Sequence, residues 1–124
     1  SSFDCILEKN DPESGIATLR LHSVLIQSVY RPGFVIGEQV TVIIRTNRIR
    51  VCKERENESA NEIPCSIISN TLNGTFWRVN VSVCSTEIRA DIANDSNETI
   101  YHDWTCSESA YIVIPPEDVW FFNK

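Results

Sequence analysis

Thr75-Phe-Trp-Arg-Val-Asn-Val-Ser-Val-Cys84 decides how this chain is read. Trp77, Val79, Val81 and Val83 alternate with Arg78, Asn80, Ser82 and Cys84, and a side-chain period of two marks a β-strand with one buried and one wet face. Asn80 opens an Asn-Val-Ser acceptor triplet for N-glycosylation. It falls on the wet face, where a glycan would have to project.

The pattern extends in both directions. Just upstream, Asn73-Gly74 is a tight-hairpin signal. In Gln39–Thr46, Val40, Val42 and Ile44 oppose Gln39, Thr41 and Arg45, and the strand is entered through Pro32-Gly33 and Gly37. Further strands are predicted over 16–21, 24–30, 49–53, 66–69, 87–92, 100–106 and 110–114, joined by short turn-rich segments. No stretch holds a helical period, and no internal repeat is apparent. About eight short strands of this kind predict an antiparallel all-β sandwich.

With 124 residues, one compact domain is expected, and 42% hydrophobic with 23% charged residues is a globular composition. The sandwich is assigned to residues 1–115, with 116–124 as a C-terminal tail or the start of a membrane stalk. Trp120, Phe121 and Phe122 in that tail would be an aggregation liability if left in water, so folding back onto the sandwich is the preferred alternative. Eleven Lys plus Arg against seventeen Asp plus Glu give a net charge of -6, which argues against nucleic acid as a partner. No apolar run approaches the roughly 20 residues that span a bilayer, so no direct membrane insertion is expected.

Five acceptor triplets begin at Asn57, Asn73, Asn80, Asn94 and Asn97, more than chance supplies. Together with the lack of methionine and of a leader before Ser1, they predict a mature ectodomain from the secretory pathway, luminal, cell-surface or secreted, with an anchor removed beyond Lys124. Cys5, Cys52, Cys65, Cys84 and Cys106 lack zinc-ligand spacing. Disulfides are expected instead, with about 15 ways to pair four of the five. The reading adopted joins Cys52 to Cys65 and Cys84 to Cys106, leaving Cys5 free or linked to another chain.

Chemistry-bearing constellations are scarce. His102 and Asp103 are neighbours on a predicted strand and point to opposite faces, and His22 is predicted exposed. No calcium loop or phosphate-cradling glycine run is present. The expected role is therefore binding without catalysis, and without a metal or cofactor. Candidate partner-binding residues are the basic group Arg45, Arg48, Arg50 and Lys53, extended by Arg55, and the aromatics Tyr30 and Phe34 around Arg31-Pro-Gly.

Gly37-Glu-Gln-Val-Thr-Val, the inward Trp77 and Tyr101-His-Asp-Trp-Thr-Cys106 resemble elements of an immunoglobulin-like β-sandwich. The Gln39–Thr46 strand lacks the cysteine of the usual inter-sheet bridge. A small, densely sequon-bearing domain of this kind is similar to the luminal domains of mouse cytomegalovirus class I MHC-binding glycoproteins. That resemblance implies viral immune evasion through a host protein partner, MHC class I. A cellular adhesion or receptor ectodomain and a secreted parasite inhibitor are the alternatives.

Overall fold

The computed structural model describes residues 1–55, 61–93 and 107–124. Among these residues ten strands form two antiparallel five-stranded sheets, so the expected all-β two-layer architecture is present. The strands are β1 Ser2–Asp11, β2 Ile16–Leu21, β3 Val24–Val29, β4 Gln39–Ile44, β5 Arg50–Cys52, β6 Glu62–Asn73, β7 Phe76–Val83, β8 Thr86–Ala93, β9 Ser109–Val113 and β10 Val119–Asn123. Two 3-10 turns, η1 Thr46–Arg48 and η2 Pro116–Asp118, precede β5 and β10. One sheet has the order β10-β4-β1-β2-β3 and the other β5-β9-β6-β7-β8.

The deciding stretch is β7, whose Trp77, Val79, Val81 and Val83 are buried as the alternation requires. β1 and β10 were not among the predicted strands. In β1, Phe3, Cys5 and Leu7 point into the core while Asp4 and Glu8 face out. In β10, Val119 and Phe121 are buried and Trp120 and Phe122 are exposed. Val119–Asn123 is therefore a strand of the sheet, paired along β4 from Val119–Ile44 to Asn123–Val40, and the boundary that set 116–124 apart as a tail is corrected.

Registers reveal a duplication that the sequence hides. β1-β2-β3-β4-η1-β5 and β6-β7-β8-β9-η2-β10 are two copies of one unit. Cys5 pairs with Val40 in the first copy and Cys65 with Ala110 in the second. Both long strands slip register at one point, between Leu7 and Lys9 and between Ile67 and Ser69, a bulge that bends the strand. The hydrogen bonds repeat as well. Leu7 N–H donates to Glu38 O (3.0 Å) and Gly37 N–H to Leu7 O (2.7 Å), matched by Ile67 N–H to Glu108 O (2.8 Å) and Ser107 N–H to Ile67 O (2.7 Å). Gly37 and Ser107 share a left-handed backbone, with φ of 90° and 71°. Ile44 N–H donates to Ser1 O (2.8 Å) as Ile114 N–H does to Asn61 O (3.2 Å).

The copies exchange their last elements. β5 belongs to the first copy but pairs with β9 of the second, and β10 belongs to the second but pairs with β4 of the first. η1 packs against β8, and η2 against β3. Each sheet is thereby completed by an arm from the other half, and the buried side chains of both merge into one core.

Candidate functional site

The basic group predicted from sequence lies on the first arm, running from η1 through β5. Arg48 and Arg50 face outward while Ile49 and Val51 are buried, as a strand-like alternation dictates. Its charges meet acids of the second half. Arg48 Nε is 3.9 Å from Asp118 Oδ1, Lys53 Nζ 3.3 Å from Glu108 Oε1 and Arg55 Nε 3.9 Å from Glu62 Oε2. Arg45, the first of the group, is exposed at the entry to η1. Arg48, Lys53 and Arg55 thus fasten an exchanged arm, and the acids they find were far away in sequence.

Asp91 on β8 anchors the same arm from the other side. Thr46 Oγ1 donates to its Oδ2 (2.7 Å) and Arg78 Nε to its Oδ1 (3.1 Å), with Arg89 Nε at 3.8 Å. Burial alone would raise this carboxyl, but the bonds from Thr46 and Arg78 and the nearby arginine charges bring it below the ordinary carboxylate range. Beside this network an open hollow of about 380 Å³ is lined by Ser1, Asn80, Glu87 and Arg89. A second, of about 340 Å³, is lined by Glu8, Lys9, Thr18, Leu25 and Gln27.

The second arm is held by rings. Phe34 and Phe121 lie 4.8 Å apart between centroids, and the Arg31 guanidinium stacks over Trp120 at 3.9 Å, with Phe121 at 5.7 Å. Tyr30 and Phe34, the predicted aromatic anchors, are both half-buried, and Phe34 packs on the core. Sequence reasoning passed over Arg31 and Trp120 as a pair. The only signals were their aromatic neighbours, because their meeting depends on β10 crossing to the first sheet.

Cys5 and Cys65 occupy equivalent core positions, and burial, joined at Cys5 by the charge of Asp4, pushes each thiol up to about 12. Cys65 and Cys84 are thiols, so neither expected bridge, Cys52 to Cys65 or Cys84 to Cys106, is formed. Cys65 points into the core from β6, and the Cys84 Sγ is 3.7 Å from Ser23 Oγ at the point where the two equivalent turns meet. Cys5 is likewise a buried thiol. Cys106, His102, Asp103, Asn57, Asn94 and Asn97 lie outside the described residues. Asn73 is exposed at a hairpin tip, and Asn80 faces outward with its Nδ2 donating to Ser69 Oγ (2.9 Å). His22 is exposed in the β2–β3 turn, where its φ is 54°.

No family model and no curated protein matches the sequence. The fold is similar to that of the cytoplasmic molybdate-binding protein ModG in a molybdate-bound crystal form, with a TM-score of 0.80. The likeness covers 100% of this chain and 96% of that one at 11% identity. It establishes the architecture. The expected function is corrected by the same finding: the full-length structural neighbour is a cytoplasmic molybdate-binding protein and not an MHC class I-engaging viral glycoprotein. The host-protein partner, the immune-evasion role and the secretory-pathway address are withdrawn with it.

Proposed function

We propose that this chain is a non-catalytic binding module for a small tetrahedral oxyanion. The observation that carries the reading is the full-length likeness of its two-sheet fold to a molybdate-binding protein. The hollow beside β7 and β8 supports it, since the Arg89 guanidinium and the Asn80 amide offer donors on adjacent strands. An anion with several oxygens takes such donors at charge-assisted strength. The chain's net charge of -6 works against long-range attraction of anions, so recognition must come from local donors.

Isothermal titration of the purified chain with molybdate, tungstate, sulfate and phosphate tests the reading. Saturable binding of at least one is expected, weakened at least about tenfold in Arg89→Ala, as loss of a charge-assisted bond predicts. Absence of saturable heat for all four anions up to about 10 mM, the range of very weak association, would sink it.

A further inference from the structure

Arg31 differs from the cations of the first arm. None of the ion pairs among the described residues includes it. Its Nε is buried without an acceptor. Glu38, the acid of the same loop, turns Oε2 to the Val35 N–H at 3.4 Å, while its Oε1 is itself buried without a hydrogen-bond partner. A buried donor with no partner carries a free-energy cost, and the outer N–H groups of the same half-buried guanidinium are left as the ones a ligand anion can reach.

The group is also held in advance of any ligand. Asn10 clamps the Arg31 backbone from both sides, its Nδ2 donating to Arg31 O (2.6 Å) and its Oδ1 accepting from Arg31 N–H (3.2 Å). The side chain is fixed by its stack on Trp120. Loss of water around it draws the guanidinium pKa down, the direction expected for a charge without a neutralising neighbour, yet an arginine stays protonated at working pH. A fixed planar fork of donors matches a carboxylate in two-point contact.

The setting selects the rest of the ligand. Trp120 is 44% exposed, and Val35 and Ile36, which follow Phe34, are 69% and 56% exposed. One cation among rings and branched side chains compensates poorly for stripping water from a small inorganic dianion. It suits a singly charged head joined to an apolar body that covers the exposed carbon.

We propose that Arg31 and Trp120 form a second binding site, for a small carboxylate with an aromatic or branched aliphatic body. The carboxylate sits on the guanidinium and the body lies against Trp120. This site shares no residue with the Arg89 hollow and stands or falls apart from the oxyanion reading.

Phenylacetate is a suitable probe, with acetate and benzyl alcohol as controls for the body and the charge. Titration of the full chain, followed by tryptophan fluorescence and by calorimetry, is expected to saturate with phenylacetate and to be at least tenfold weaker with either control. Trp120→Phe keeps a ring and is expected to retain the heat while losing the fluorescence change. Arg31→Gln is expected to weaken phenylacetate at least tenfold without changing affinity for molybdate. Arg31→Lys, which keeps charge but not the planar fork, is expected to fall between and covers the case in which the glutamine variant does not fold. The site is overturned if phenylacetate gives no saturable signal, if benzyl alcohol binds as well, or if either Arg31 variant binds phenylacetate unchanged.

Discussion

Residues 45–55 and 115–124 start from equivalent places in the two copies and cross to opposite sheets, yet they are fastened by different forces. The first arm carries Arg48, Lys53 and Arg55 to acids of the second half. The second sets Phe121 into the core, and Trp120 under Arg31, with Lys124 Nζ 2.9 Å from Asp4 Oδ2 and Asp118 receiving Arg48 of the first arm. At equivalent positions, Arg50 of one arm answers to Trp120 of the other, and Val51 to Phe121. The same backbone exchange therefore tolerates two solutions, because the sheet pairing and two buried side chains per arm, Ile49 and Val51 or Val119 and Phe121, supply most of the hold. Surface ion pairs add little to that, being weakened by water and salt, whereas each buried ring or branched chain contributes on the order of 1.5–3 kcal/mol.

The sharpest way to break the comparison is to truncate the equivalent buried residues. Phe121→Ala is expected to cost about 3–5 kcal/mol, and Val51→Ala about 2 kcal/mol from the smaller area it buries. Urea unfolding monitored by circular dichroism measures both. Equal losses would mean that the second arm's hold does not come from its ring, and that the two arms are energetically alike despite their sequences.

A smaller effect is expected where the first arm meets Asp91. Removing that carboxylate's charge with Asp91→Asn loses charged hydrogen bonds from Thr46 and Arg78, at about 2 kcal/mol. The pH dependence has a definite sign. A carboxyl whose folded pKa lies below its unfolded value stabilises the fold above the unfolded value, near pH 4, and that contribution is lost as pH falls through the folded pKa. Thermal melts from pH 7 to pH 2 should therefore show the normal protein losing more stability on acidification than Asp91→Asn. Parallel acid limbs in the two proteins would remove Asp91 as a pH-linked anchor of the arm.

Much of the sheet content was legible because it is written in single strands. The alternation of β7 shows in four inward residues, and β2 was predicted with its observed bounds, Ile16–Leu21. β1 was harder to see, since Ile6 interrupts its alternation between Cys5 and Leu7. The duplication was not legible at all. What the copies share is register, bulge and buried volume, as in Leu7 and Ile67 or Val42 and Ile112, and many different side chains satisfy those demands. The aromatic tail illustrates the same limit, because its fate is fixed by a strand exchange over long range. The pairing of Cys52 with Cys65 misled for a related reason: Cys65 is an apolar core residue here, as is Cys5, which was left outside both expected bridges, and burial raises both thiols.

The smallest effects are expected at the first arm's ion pairs, and they test whether its basic residues act as fasteners. Arg48 and Lys53 have side chains 56% and 45% exposed, so each pair is screened by water. Arg48→Ala and Lys53→Ala should each cost under about 1 kcal/mol at low salt, and less again in 1 M salt, where the screening length falls to about 3 Å. Charge reversal sharpens the test: Lys53→Glu sets like charge against Glu108, and the double exchange with Glu108→Lys restores attraction. Recovery of stability in the double variant, measured as the coupling in a double-mutant cycle, is the expected result. Zero coupling at low salt would show that the arm is held by its buried edge alone, and that its cluster of positive charge serves something other than the fold.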